Sequence, residues 1–172
     1  MWIWLCVIAG GVIVDQLTKW LAVCFLMGKD SFVLIPSVFR FTYVENDGAA
    51  FGMLDDHRWV FMVISTVAIV GILVFLWKFA PDSKWVKLGL ALIVSGGVGN
   101  MIDRVALGYV VDFLDFCAFP KLWPWVFNVA DAFVCVGGGI VFVWCVVSLW
   151  KEAQENRAGK KGEDSSSDGD RL

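Results

Sequence analysis

The sequence predicts an all-α membrane bundle of four transmembrane helices, topped by a small extracytoplasmic β-sheet, with both termini cytoplasmic. Three observations carry this. Of 172 residues, 59% are hydrophobic, mean hydropathy is +0.72 and only 18% are charged, against roughly 25% in soluble domains. Uncharged runs recur at 1–14, 59–77, 88–102 and 132–150, each near or extendable to the ~20 residues that cross a bilayer as helix. Nine of the ten tryptophans lie near the ends of these runs, where amphipathic rings settle at the headgroup level.

The first span is placed at residues 2–20. It has no basic residue ahead of its apolar core and no small-x-small cleavage site, so it is expected to be retained rather than removed as a signal peptide. Its far end carries DQLTK, where Asp15 and Lys19 share one helical face at i,i+4. In segment 21–58, Phe39, Phe41 and Tyr43 alternate with Arg40 and Thr42, which predicts short strands ahead of a turn at Asn46 and Gly48. The second span covers 59–78, and the third covers 86–103 and ends in GNMIDR. There Asn100, Asp103 and Arg104 share a face at i, i+3 and i+4. Segment 104–127 alternates around VVDF, which carries Asp112. The fourth span, 128–150, opens with Asn128 and Asp131 at i,i+3.

Residues 1–155 therefore read as one membrane domain, and the polar 156–172 as a disordered cytoplasmic tail. Lys78, Lys84 and Lys87 crowd the turn after span two, and basic residues follow span four. That side holds eight basic residues against six outside, so the positive-inside rule places it in the cytoplasm. With alternating spans, all three polar clusters then fall at the outer leaflet. The five cysteines show no C-x-x-C spacing and receive no role.

Asp15 with Lys19, and Asp103 with Arg104, are equally well explained as ion pairs at helix ends. Gly96, Gly97 and Gly99 read as close helix contacts, although the flat face of GGVGN offers a surface for a passing peptide. Asp112 and Asp131 resist a structural explanation, since neither has a basic residue within four positions and an acid inside a span needs a partner or water. Serine or cysteine hydrolysis calls for a base that the sole histidine, His57, does not supply at the polar zone. Two carboxylates in a partly desolvated site share one proton, which places an acid and a base together and permits peptide hydrolysis through water, without metal or cofactor. A rival from another class is a non-enzymatic protein that binds cations or relays protons through the same outer carboxylates.

The segments DQLTK, NDGAAFG, GNMIDR, VVDF and FNVADA, in this order on four spans, resemble the lipoprotein signal peptidases (signal peptidase II), a family of intramembrane aspartic proteases. The resemblance implies a four-helix bundle with an extracytoplasmic β-cradle in the bacterial plasma membrane. It implies cleavage of prolipoproteins before the diacylglyceryl-modified cysteine of the lipobox. It makes Asp112 and Asp131 the catalytic dyad and Asp15, Lys19, Asn46, Gly48, Asn100, Asp103, Arg104 and Asn128 the residues that orient the dyad or bind substrate. The expected partners are the lipidated substrates and membrane lipids, with no nucleic acid and a monomeric state. Asp47 occupies the variable position of the N-x-G-A-A-F motif.

Overall fold

The computed structural model describes residues 2–47, 58–79, 82–118 and 125–169. In chain order the elements are α1 (Trp2–Leu26), β1 (Phe32–Ile35), β2 (Phe39–Asn46), α2 (Arg58–Lys78), α3 (Lys84–Ala106), β3 (Val110–Phe116), β4 (Val126–Phe127) and α4 (Val129–Gly169). Among the described residues α1, α3 and the Val129–Asn156 part of α4 are long and apolar enough to cross a membrane, and α2 contributes the shorter apolar stretch Met62–Lys78. Their outer surfaces expose Trp2, Val67, Phe142 and Leu149 among many large apolar side chains, far more than a soluble monomer tolerates. The molecule is a multi-pass membrane protein with a small antiparallel sheet.

The central element is α3, which packs on α4, α1 and α2. Without a strong hydrophobic drive between helices in lipid, close backbone approach has to come from small residues. Gly96 abuts the Ala130 carbonyl and Val134 of α4, and Gly89 and Gly137 meet each other's carbonyls. The GGVGN face is therefore already occupied: Gly96 and Gly99 lie against α4 and Asp15, and Gly97 against Ile69. This corrects the idea that it forms a free surface for a peptide.

The sheet runs β1-β2-β3-β4, every pair antiparallel. Asp112 on β3 stands opposite Val44 on β2, and the register slips between Phe41 and Val44. Chain reversal from α3 into β3 is made by Gly108, whose φ of 90° is costly for any residue with a Cβ. Val111 and Phe113 turn inward onto Ala22 at the end of α1, with Tyr43, Tyr109 and Val129 around them. This small core joins the sheet to the helix ends and leaves all four residues of β1 exposed.

Two boundaries differ from the sequence reading. Helix α1 continues past residue 20 to Leu26. Helix α4 continues past residue 150 as far as Gly169. The run KEAQEN supplies strong helix formers directly after an already nucleated helix, so extension costs little.

Replacing Gly96 or Gly137 by alanine drives a methyl group into a neighbouring backbone carbonyl, an overpacking cost of about 1–3 kcal/mol. A melt in detergent is expected to fall by several degrees for either variant and to stay unchanged for Gly138→Ala, where nothing lies within 4 Å.

Candidate active site

The polar residues of five elements, α1, β2, α3, β3 and the start of α4, meet at one end of the bundle. Their centre is the Lys19 ammonium, buried on α1. It lies 3.0 Å from Asp15 Oδ2 and 2.9 Å from Asp103 Oδ2, and it donates to Asn100 Oδ1 at 2.8 Å. Three acceptors match the three N–H groups of an ammonium. Burying an ion is costly unless it is paired and fully hydrogen-bonded, and this one is both.

Each carboxylate held by Lys19 reaches on to another element. Asp15 Oδ1 accepts the Ala130 backbone N–H at 2.8 Å, so α1 holds the first turn of α4. Asp103 Oδ2 accepts the Val111 N–H at 3.0 Å, which fixes β3 one residue before Asp112. Gln16 donates to Asp103 Oδ1 at 2.9 Å and to the Gly99 carbonyl at 3.1 Å. Gly99 has to lack a side chain, because a Cβ there would overlap the Asp15 carboxylate.

The start of α4 is a reciprocal cap. Asn128 Oδ1 accepts the Asp131 N–H at 3.0 Å, and Asp131 Oδ2 accepts the Asn128 N–H at 3.2 Å. This is a capping box built from Asn and Asp, and it places the Asp131 carboxylate on the positive end of the helix dipole. The Asn128 amide then turns outward from the cap, donating to Asp112 Oδ1 at 2.6 Å and to Asn100 Oδ1 at 3.0 Å. Asn100 donates to Asp131 Oδ1 at 2.7 Å, and Asn46 on β2 donates to Asp112 Oδ2 at 2.8 Å. Asn128 thus touches both carboxylates.

The two acids have different surroundings. Asp112 is buried, whereas Asp131 is partly exposed. Burial pushes the Asp112 carboxyl from its ordinary 3.8 up to about 6; the Asp131 charge adds to the rise, and the Asn46 and Asn128 amides and the Lys19 charge oppose it. Arg104 donates to the Asn100 carbonyl at 3.3 Å and lies close enough to act electrostatically on Asp131, Asp112 and Asp103.

Of the site residues named from sequence, Asp15, Lys19, Asn46, Asn100, Asp103, Arg104, Asn128, Asp112 and Asp131 all belong to this network. Gly48 and His57 lie outside the described residues. The ion pair of Asp103 is with the buried Lys19 across the helix interface, and Arg104 acts on it only at longer range. The sequence reading passed over Gln16, although it sits inside DQLTK between two residues that were named. It also passed over Asp115, which pairs with Arg40 across β2 and β3 and braces the sheet.

A family model for signal peptidase (SPase) II matches residues 7–147. The chain belongs to the signal peptidase II family. It is an aspartic endopeptidase of this type, acting on prolipoproteins in the membrane. The lipoprotein signal peptidase of Caldanaerobacter subterraneus subsp. tengcongensis is 45% identical over 135 residues, covering 78% of this chain and 90% of that relative. The lipoprotein signal peptidase of Clostridioides difficile is 42% identical over 140 residues, 81% of this chain and 90% of the relative. A bacterial membrane enzyme solved by the in meso method at 2.3 Å resolution superposes with a TM-score of 0.76 at 30% identity, covering 90% of this chain and 92% of the other. Signal peptidase II membership is therefore supported by sequence and by fold over nearly the whole bundle.

Lys19→Met removes the cation that, among the described residues, makes the ion pairs to both Asp15 and Asp103, and leaves two buried carboxylates without it. Such a change costs about 3–5 kcal/mol. A thermal melt in detergent is expected to show a large loss, and a variant that melts like the parent would show that the ammonium does not organise the site.

Proposed function

We propose that Asp112 and Asp131 are the catalytic dyad and that they cleave the peptide bond preceding the diacylglyceryl-modified cysteine of a prolipoprotein through an activated water. The observation that carries this is the Asn128 bridge: one residue holds Asp112 through its side-chain amide and Asp131 through its backbone N–H. This bridge links the two carboxylates through a single residue.

The chemistry follows from sharing one proton. The ionised carboxylate removes a proton from water as that water attacks the scissile carbonyl, while the protonated carboxyl donates its proton to the carbonyl oxygen. The resulting gem-diol collapses: one of its hydroxyls returns a proton to the carboxylate that acted as acid as the carbonyl re-forms, the C–N bond breaks, and the carboxyl that took the water proton passes it to the departing amine. The dyad returns to one proton over two carboxylates, so it titrates as a unit. Asn46 and Arg104, at the rim, are proposed to contact the substrate backbone. Asp15, Lys19, Asn100 and Asp103 are positioning residues.

We place this end of the bundle at the extracytoplasmic leaflet of the bacterial plasma membrane, with α2 as the fourth span and both ends of the 1–155 domain in the cytoplasm. The supporting feature is the set of lysines, Lys78, Lys84 and Lys87, at the opposite end. A lipid-anchored cysteine sits at the same depth as the dyad, and the exposed apolar β1 rests beside it on the bilayer. A monomer suffices, since the network is complete within one chain. Cation or proton transfer through the bundle is disfavoured by the interior beyond Gly99, where Ala91 and Val94 are buried and Ser95 Oγ has no hydrogen-bond partner among the described residues.

Asp112→Asn and Asp131→Asn, made separately, are expected to lower cleavage of a diacylglyceryl-modified lipobox peptide by about 10²- to 10⁴-fold or more, with chelator having no effect on the parent enzyme. Retained cleavage in both variants would remove the dyad assignment. Because the folded-state value of Asp112 is raised, its ionised form destabilises the fold at neutral pH, and that penalty fades as pH falls through about 6. The Asp112→Asn melt is therefore expected to match or exceed the parent at pH 8, with the difference narrowing below pH 6.

The same shift sets a pH profile. Asp112 gives up its proton at about 6, so kcat/KM is expected to decline on the alkaline side of that value. A profile flat from pH 5 to 9 would contradict proton sharing.

A further inference from the structure

At the end of the bundle remote from the dyad lies a cavity of about 860 Å³ between the first turns of α1, the last turns of α2 and the beginning of α3. Trp2, Trp4, Leu73 and Trp77 form part of a lining that is almost wholly apolar, and Lys78 and Lys87 stand in its wall. Neither lysine has an ion pair among the described residues. The nearest acid along the chain, Asp82, is exposed in the turn between α2 and α3 and pairs with neither.

We propose that this cavity is a binding site for an anionic glycerophospholipid, with an acyl chain in the apolar groove and the headgroup phosphate on Lys78 and Lys87. The volume falls within the ~300–1,000 Å³ of ordinary ligand sites. Tryptophans at a membrane interface sit at headgroup depth, which is where a phosphate meets lysines whose stems run along an apolar wall. The charge also selects between occupants. A signal peptide carries a basic n-region, which these lysines repel, whereas an anionic lipid is attracted. The groove is thus closed electrostatically to the substrate's leading end and open to lipid. The proposal rests on the bundle lying in a bilayer and is independent of the dyad assignment.

The test uses the full chain reconstituted in phosphatidylcholine vesicles containing a minor fraction of brominated phosphatidylglycerol or, separately, brominated phosphatidylcholine, with tryptophan quenching as the readout. Brominated phosphatidylglycerol is expected to quench in excess, corresponding to a relative affinity of roughly thirtyfold for two lysines acting on one phosphate. The Lys78→Gln/Lys87→Gln double variant should bring that ratio near one, and each single variant should lower it about fivefold, which keeps the test usable if the double variant folds poorly. Lys84→Gln, on the same turn but outside the cavity wall, should leave the ratio unchanged. Equal quenching by the two lipids in the parent chain would overturn the proposal. So would an unchanged ratio in a folded double variant, or a loss with Lys84→Gln as large as that of the pair, which would indicate diffuse surface charge. Peptide cleavage in detergent by the same variants stays at the parent level if the lipid site and the dyad are separate.

Discussion

The Lys19 ammonium is the constraint on which the rest of the site depends. It is a single buried charge with three acceptors, and those acceptors come from α1 and from two turns of α3. Asp15, through its other oxygen, and Asp103, through the same oxygen that meets Lys19, each also accept a backbone N–H from elsewhere, one at the start of α4 and one in β3. A charge that must be neutralised in a low-dielectric interior thereby ties together the two elements that carry Asp131 and Asp112. The position of the dyad is a consequence of ion pairing one layer deeper.

Above that layer, the asparagines do what charged groups would do badly. Asn100 and Asn128 each present an acceptor on one side and donors on the other, so they relay position from Lys19 to the carboxylates without adding charge next to a pair that must share one proton. The helix end contributes as well. The capping box at 128–131 satisfies backbone donors that would otherwise be orphaned, while it orients the Asp131 side chain that closes it. Capping and catalytic placement are served by the same atoms.

Packing in the bundle follows a different rule from packing in the site. The helices meet through glycine contacts between α3 and α4, as expected where lipid competes equally for apolar side chains. Gly99 joins the two rules, since the close approach it permits is to the Asp15 carboxylate rather than to a neighbouring helix backbone. At the far end of the bundle the helices leave a cavity instead of a tight contact, and that is where lysines rather than acids line the wall.

Much was legible in the chain alone. Hydropathy runs dictate membrane helices because hydrocarbon admits little else, period-two alternation in 39–43 marks a strand, and i,i+3 and i,i+4 spacings put Asp15 with Lys19 and Asn128 with Asp131 on common faces. These are short-range regularities, set within a few residues by backbone geometry. Three matters were decided only in three dimensions. Asp103 pairs with Lys19 instead of its neighbour Arg104, Gln16 joins two helices, and the Gly-rich face of α3 is filled by α4. Partner choice among buried charges depends on which helices cross and how deeply each side chain is enclosed, and local spacing in the chain holds no record of either.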